Sequence, residues 1–324
     1  MNHAIRIHQT GGPEVLTWEE VEVGQPGPGQ ALVRHRAVGL NFIDVYHRTG
    51  LYPVPLPAVP GLEGAGVVEA VGPEVAQVRV GDRVAYASAP LGAYAEARLM
   101  PADRLVVVPE AISDEQAAAM MLQGLTAQYL VRRTHPVRAG ETVLVHAAAG
   151  GVGLILCQWA KHLGATVIGT VGSDAKAGLA RAHGCDHPIV YTREDFFQRV
   201  MELTQGRKVQ VVYDSVGRDT FAKSLDCLAP LGLLALFGQS SGAVPPFDLG
   251  QLAAKGALFV TRPTLAVYSA QRQDLTAAAG ELFDLVARGV LRVEIRQRYP
   301  LREAAQAHRD LEARRTTGST VLTV

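Results

Sequence analysis

The stretch Val143–Gly153, VLVHAAAGGVG, decides how this chain is read. A short apolar run empties into a turn of small residues, and the following VGLILCQWAKHLG carries apolar residues at helical spacing. Strand, glycine-rich turn and helix in that order form the opening of a dinucleotide site. Phosphate is taken up by backbone N–H groups at a helix N-terminus, provided no side chain blocks the approach. Gly150 and Gly151, with Val152 beside them, permit that approach, and Gly153 lets the helix pack on its strand. The first glycine of the usual G-x-G-x-x-G is replaced by Ala148, which the turn tolerates if φ stays negative. A tight turn without a ligand is the competing reading, and the segments on either side weigh against it.

Downstream of Gly140 the chain alternates strand and helix. ETVLVHA, ATVIGTV, HPIVY, VQVVYDSV, GLLALFG and ALFVTRP read as buried strands, and DAKAGLARAHG as one of the helices between them. Apolar strands separated by helices imply a parallel sheet covered on both faces. Up to about residue 110 the punctuation differs. AIRIH, ALVRHRAVGL, GAGVVEAVG, DRVAYA, AYAEARL and RLVVVP are separated by turn clusters such as GQPGPGQ and YPVPLPAVPG, the pattern of a twisted, barrel-like antiparallel body. Ser113 with Gln116 forms a capping-box pattern ahead of a helix. The tail brings a long helix near RQDLTAAAGELFDLVARG, a strand EIRQRYP, a helix REAAQAHRDLEA, and a last apolar strand STVLTV expected to pair back in the N-terminal body.

Composition narrows the function classes. The 324 residues are 48% hydrophobic and 19% charged, which describes a well-packed globule. Basic and acidic residues balance at 31 each, so a nucleic-acid partner is disfavoured. Cys157, Cys185 and Cys227 are widely spaced, without a C-x-x-C pair. That pattern speaks against a zinc site or a disulfide framework and fits a reducing cytoplasm. No apolar run approaches the length of a membrane span, and the N-terminus lacks the apolar core of a signal peptide.

The strand after the glycine loop selects the cofactor. NAD sites place an acid about 20 residues on, against the ribose hydroxyls. Here the strand ends Thr170, Val171, Gly172 with no acid, while Ser173 and Lys176 offer a hydroxyl and a positive charge. That pair suits a 2′-phosphate, so NADPH is expected. Asp174 is the counter-candidate as ribose acid, and its competing role is that of an exposed first-turn residue.

Six segments carry a family resemblance: GLNFIDVYHRTGLYP from Gly39, PGLEGAGVV from Pro60, GLTAQYL from Gly124, HAAAGGVG from His146, YDSVG from Tyr213 and TTGSTVL from Thr316. In this order and spacing the chain resembles the zinc-free quinone oxidoreductases of the medium-chain dehydrogenase/reductase superfamily, the branch that includes zeta-crystallin, over essentially its whole length. The resemblance implies an α/β chain with a Rossmann doubly wound parallel sheet and a GroES-like β-barrel-type catalytic domain. The NADPH-binding domain is expected over 123–264 and the GroES-like domain over 1–122 and 265–324, with the acceptor in the cleft between them. The first zinc ligand of metal-dependent relatives falls at Asn41 and the histidine of their Gly-His-Glu at Leu62, so no metal is expected.

By the same resemblance Asn41 lies near nicotinamide and acceptor, and Asp44, Tyr46 and Tyr52 line the acceptor pocket. Gln123 and Thr126 face the nicotinamide, while Lys176, Tyr191 and Arg314 surround the 2′-phosphate. Ser215, Phe237, Gly238 and Ser240 follow the later strand ends. Bland alternatives stand beside these: Asp44 as a hydrogen-bonded turn residue, Tyr46 and Tyr52 as packing residues, Tyr191 as a strand terminator. Glu63 is expected in a structural ion pair. The histidines, His146 included, show no ligand spacing and are expected to be bystanders.

The function implied is reduction of quinones by NADPH. A quinone becomes aromatic on reduction and needs no Lewis acid, only orientation against the nicotinamide and exclusion of water. Reduction of α,β-unsaturated carbonyl compounds, with Tyr52 or solvent as proton donor, is the alternative. An RNA-binding or structural, crystallin-like role is a weaker one. The apolar GALFVTRP reads as an unprotected sheet edge, from which a homodimer is expected.

Overall fold

Six apolar segments in the middle of the chain pair as one parallel sheet. Its order is His187–Val190, Thr166–Val171, Thr142–Val145, Val209–Asp214, Leu228–Leu236 and Phe259–Thr261. The first strand in sequence is therefore central, and the chain winds outward from it in both directions. Val143, Leu144, Val145, Val211 and Val212 are each 0% exposed, as strands covered on both faces must be. Helices Gly151–His162, Asp174–Ala182, Phe196–Thr204 and Phe221–Cys227 follow successive strands. Phe196, Val200, Phe221 and Leu225 from two of them close over Leu144, Ile168, Ile189 and Leu234. The direction of winding reverses beside Thr142–Val145, so the carboxyl ends of this strand and of Val209–Asp214 form the switch point where such sheets take ligands.

This computed structural model describes residues 2–324. Thr126–Val267 with Gly289–Arg292 form one compact unit; the chain up to Leu125, Tyr268–Arg288 and Val293–Val324 form the other.

The glycine loop is built differently from the linear fingerprint. Ala148 keeps a negative φ, as the turn requires of it, and the left-handed conformation falls one residue earlier, on Ala147 at φ 53°. Gly153 is needed for space: a Cβ there would lie 2.3 Å from the Ala147 carbonyl oxygen. Room for the Ala148 methyl comes from the neighbouring strand, where a Cβ on Gly169 would meet Ala148 Cβ at 2.6 Å and Cys185 Sγ at 2.7 Å. All three cysteines are buried and free.

In the other unit the long strand Gln30–Leu40 organises a seven-stranded sheet. Its first half, Gln30–Arg34, pairs with Ala97–Pro101, and its second half, from Ala37, pairs with the last strand Ser319–Thr323. Glu63–Val71 runs along its opposite edge. The tail strand thus returns to the N-terminal body as expected, and Ile295–Pro300 joins it in parallel, the one parallel pair of this sheet. Ile5, Val33, Val38, Tyr86, Met100, Leu105 and Leu322 fill the core. The capping box at Ser113 forms in both directions, Ser113 N–H to Gln116 Oε1 at 3.1 Å and Gln116 N–H to Ser113 Oγ at 3.2 Å.

An unbroken β reading of the first 110 residues needs correction at one point, the helix Phe42–Thr49. Asp44 Oδ2 accepts the Asn41 N–H at its start, and Gly50 at φ 80° ends it. Both end signals are ordinary sequence signals.

Gly169→Ala is expected to destabilise the protein by about 1–3 kcal/mol through overpacking against Ala148 and Cys185. Chemical denaturation of the purified variant measures this, and an unchanged midpoint refutes the steric account.

Candidate active site

Of the cofactor residues named from sequence, those from Gly150 to Ser240 lie at the carboxyl edge of the parallel sheet. Gly150 caps the helix Gly151–His162 with its backbone at φ −82°, no side chain caps that end, and its first turn holds no acid. The N–H groups of Gly151, Val152 and Gly153 and the positive end of the helix dipole are thereby left for an anion. Gly172 and Ser173 follow the next strand. Ser173 caps the helix Asp174–Ala182, its Oγ accepting the Lys176 N–H at 3.4 Å. Tyr191 ends the third strand, donating its N–H to the Val171 carbonyl at 3.1 Å, and its hydroxyl lies over Gly172. Ser215, Phe237, Gly238 and Ser240 are laced together: Asp214 O accepts the N–H of Phe237 at 2.8 Å and of Gly238 at 3.3 Å, and Ser215 O that of Ser240 at 3.1 Å.

Asp174 is an exposed first-turn residue, and both its oxygens are taken at 2.6 Å by the guanidinium of Arg193. This partner holds its carboxyl below the usual carboxylate range, first by hydrogen bonding and then by charge. Arg193 was not singled out in the sequence; only its place two residues after Tyr191 hints at it. His146 is buried, bonded to Thr170 Oγ1 at 2.8 Å and Ser224 Oγ at 2.9 Å, a structural role as expected.

The residues expected on the acceptor side, Asn41, Asp44, Tyr46 and Tyr52, sit in the other unit. Asn41 is the N-cap residue of Phe42–Thr49, and its side chain is also bonded to two residues outside that helix. Asn41 Nδ2 donates to Glu63 Oε2 at 2.6 Å, and Asn41 Oδ1 accepts from Gln123 Nε2 at 3.2 Å. Gln123 is fixed in turn by Ser319 Oγ, which donates to its Oε1 at 2.6 Å. Tyr46 is 7% exposed and packs edge-on against Tyr52, ring centroids 5.2 Å apart. Thr126 is buried three residues after Gln123, and Arg314 is exposed just beyond the helix Ala304–Glu312 at φ 58°.

Two expectations change here. Glu63 is in no ion pair: its other oxygen accepts the Leu122 N–H at 2.7 Å, so neutral groups hold it. Gly39 makes its place, since a Cβ there would fall 2.1 Å from Glu63 Oε2. Asp44, expected to line the acceptor pocket, is instead 0% exposed, with Oδ2 bonded to the Asn41 N–H at 2.9 Å and Tyr94 Oη at 3.2 Å and Oδ1 left without a partner. Burial pushes Asp44 up to about 7 and Glu63 up to about 8, against the hydrogen bonds that favour their ionised forms. Among the described residues no group of three or more His, Cys, Asp or Glu side chains is placed to hold a metal ion.

Comparison with known proteins gives this geometry a family. Residues 27–110 match the model of the alcohol dehydrogenase GroES-like domain, and residues 151–279 that of the zinc-binding dehydrogenases. The quinone oxidoreductase of Pseudomonas aeruginosa is 57% identical over 323 residues, 99% of each chain. The chain belongs to the quinone oxidoreductase family. Within that family's reach, a 2-haloacrylate reductase from a Burkholderia species is 50% identical over 324 residues, covering 98% of this chain and 97% of the relative. The crystal structure of Escherichia coli quinone oxidoreductase complexed with NADPH aligns with a TM-score of 0.98 at 50% identity, over 99% of this chain and all of that one.

The raised carboxyls set a pH dependence of stability. Their folded values lie above the unfolded ones, so the folded state keeps protons that the unfolded chain has released. The stability they confer is present at low pH and is lost as pH rises through about 7 for Asp44 and about 8 for Glu63. His35 and His308, pushed by burial down to about 4 and about 3, act oppositely below their ordinary range near 6.5. The melting temperature is therefore expected to rise as pH falls from about 8 to about 6.5, each carboxyl contributing up to about 1.4 kcal/mol per pH unit below its folded value. Glu63→Gln should flatten that rise in a calorimetric pH series; an unaltered slope counts against the buried neutral carboxyl.

Proposed function

We propose that the protein reduces quinones with NADPH. The observation that carries this reading is the carboxyl edge of the parallel sheet: an uncapped, acid-free helix start at Gly150–Gly153 beside a strand end where Asp174, in the first turn of the next helix, is paired with Arg193. A dinucleotide bearing a 2′-phosphate fits such a surface, and the relative at 57% identity is named a quinone oxidoreductase.

The bound cofactor supplies a hydride from its nicotinamide ring; the remaining work belongs to the chain. Gly151, Val152 and Gly153 offer N–H groups to the pyrophosphate, and Gly150, whose own N–H is donated to the Ala147 carbonyl at 2.9 Å, leaves the approach clear of a side chain. Gly172, Ser173, Lys176 and Tyr191 are assigned the 2′-phosphate; Ser215, Phe237, Gly238 and Ser240 line the rest of the edge. Gln123 and Thr126 orient the nicotinamide. On the acceptor side Tyr46 and Tyr52 offer aromatic faces for a flat ring, and Asn41 an amide for its oxygen. Asp44, fully buried, acts on Asn41 from behind. Reduction to the hydroquinone also consumes one proton, which solvent or Tyr52 provides.

A second reading, reduction of conjugated carbonyl compounds, is favoured by the 2-haloacrylate reductase at 50% identity. An RNA-binding or crystallin-like role has the balanced charge against it. We place the protein in the cytoplasm; among the described residues no helix is long and apolar enough to cross a membrane. The strand Phe259–Thr261 ends the sheet order with Phe259 58% exposed, which supports a homodimer through this edge.

NADPH consumption, followed by its near-ultraviolet absorbance, is expected with p-benzoquinone and slower with an alkenal. Preference for the alkenal moves the assignment to the second reading, and tight RNA binding in a gel-shift assay competed by NADPH revives the third. Lys176→Ala should weaken NADPH binding by at least about tenfold, near 1.4 kcal/mol, and leave NADH binding nearly unchanged. Equal effects on both refute the 2′-phosphate assignment. Light scattering should give twice the chain mass at micromolar concentration, and a monomer refutes the shared edge.

A further inference from the structure

Behind Asp44 a file of buried polar groups runs through one unit that the functional assignment has left unused. Arg48, 1% exposed, donates from both terminal nitrogens to Glu312, at 2.9 and 2.8 Å, and from Nε to the Gly11 carbonyl at 3.1 Å. Its Nη1 also lies 3.1 Å from His308 Nδ1. His308 Nε2 is 3.0 Å from Tyr94 Oη, and Tyr94 Oη is 3.2 Å from Asp44 Oδ2, the atom that accepts the Asn41 N–H. His308 and Tyr94 are each 0% exposed.

The proton positions in this file follow from chemistry. A guanidinium cannot accept, so the His308 Nδ1 facing Arg48 is the bare, accepting nitrogen. The imidazole, kept neutral by burial and by the positive charge beside it, then carries its hydrogen on Nε2 and donates to Tyr94 Oη. The single hydrogen of Tyr94 is left for Asp44 Oδ2. Every bond therefore points the same way, Arg48 to His308 to Tyr94 to Asp44. Oδ2 is confined to accepting, and a proton on Asp44 resides on the unpartnered Oδ1.

We propose that Tyr94 and His308 are positioning residues for the reduction: their one-way file fixes the orientation of Asp44, and through its grip on the Asn41 N–H the placement of the Asn41 amide. This rests on the assignment of Asn41 to the acceptor side. Neither residue touches a reactant. The charged and titratable groups facing Asp44 are Tyr94, with His308 and the Arg48–Glu312 pair behind it, and Glu63 across Asn41.

The test uses three variants of the full chain with NADPH and p-benzoquinone. His308→Gln keeps an acceptor for Arg48 and a donor for Tyr94, whereas His308→Leu keeps neither. His308→Leu and Tyr94→Phe should each lower kcat roughly ten- to a hundredfold with NADPH affinity within about twofold of the parent, and His308→Gln should restore kcat to within a few-fold. In Tyr94→Phe the Asp44 carboxylate loses a donor, so the midpoint of its titration, read from the protonated carboxyl stretch in infrared difference spectra, should move upward. Equal losses in the Gln and Leu variants, or an unmoved titration in Tyr94→Phe, overturn the proposal. The infrared titration needs no substrate. If no acceptor is reduced by the parent protein the assigned function fails, while the spectra still decide whether the file governs Asp44.

Discussion

Asn41 is held between two buried carboxyl groups with no cation in contact with either, and much of its unit is arranged around that constraint. Burying one carboxyl without a charged partner is costly, and burying two that share a neighbour is more so. The cost is limited by letting them keep protons and by surrounding them with neutral donors: the Asn41 and Leu122 N–H groups, the Asn41 amide and the Tyr94 hydroxyl. A glycine at position 39, a buried Ser319 from the last strand and an arginine sunk behind a histidine all serve the same small volume. This explains why the C-terminal strand returns to the N-terminal body: Gln123 and Asn41 would lose their anchor without it.

The other unit solves an opposite problem. It must present unpaired N–H groups and positive potential at one edge of a sheet whose remaining polar backbone is satisfied internally. The helix following the glycine loop is left uncapped, while its neighbours Asp174–Ala182 and Phe196–Thr204 are capped by Ser173 and Asp195. Phe221–Cys227 also lacks a side-chain cap, so what sets the loop's helix start apart is the glycines at Gly150, Gly151 and Gly153.

The architecture was legible because it rests on periodicity. The six strands and their helices follow from apolar runs and glycines, and the glycine loop marks the strand after which a dinucleotide site opens. The helix Phe42–Thr49 was passed over although Asn41, Asp44 and Gly50 supply its end signals, because the glycines and prolines around it read as turns of a β body. The positioning file could not have been read at all. Tyr94 and His308 are 214 residues apart, and Arg48 and Glu312 stand 264 apart; no spacing rule links them. Glu63 was misread for a related reason. A carboxylate in a sequence suggests a cation nearby, and only the fold reveals that its partners are amides.

The alanine in the glycine loop has one more consequence. Ala148 and Gly169 occupy a single volume between loop and second strand, and only one of them can carry a methyl group there. A fingerprint written along one strand is thus a linear record of a three-dimensional exclusion, and here half of the record is kept on the neighbouring strand. The motif is complete when both strands are read together, with its missing glycine displaced by 21 residues rather than lost.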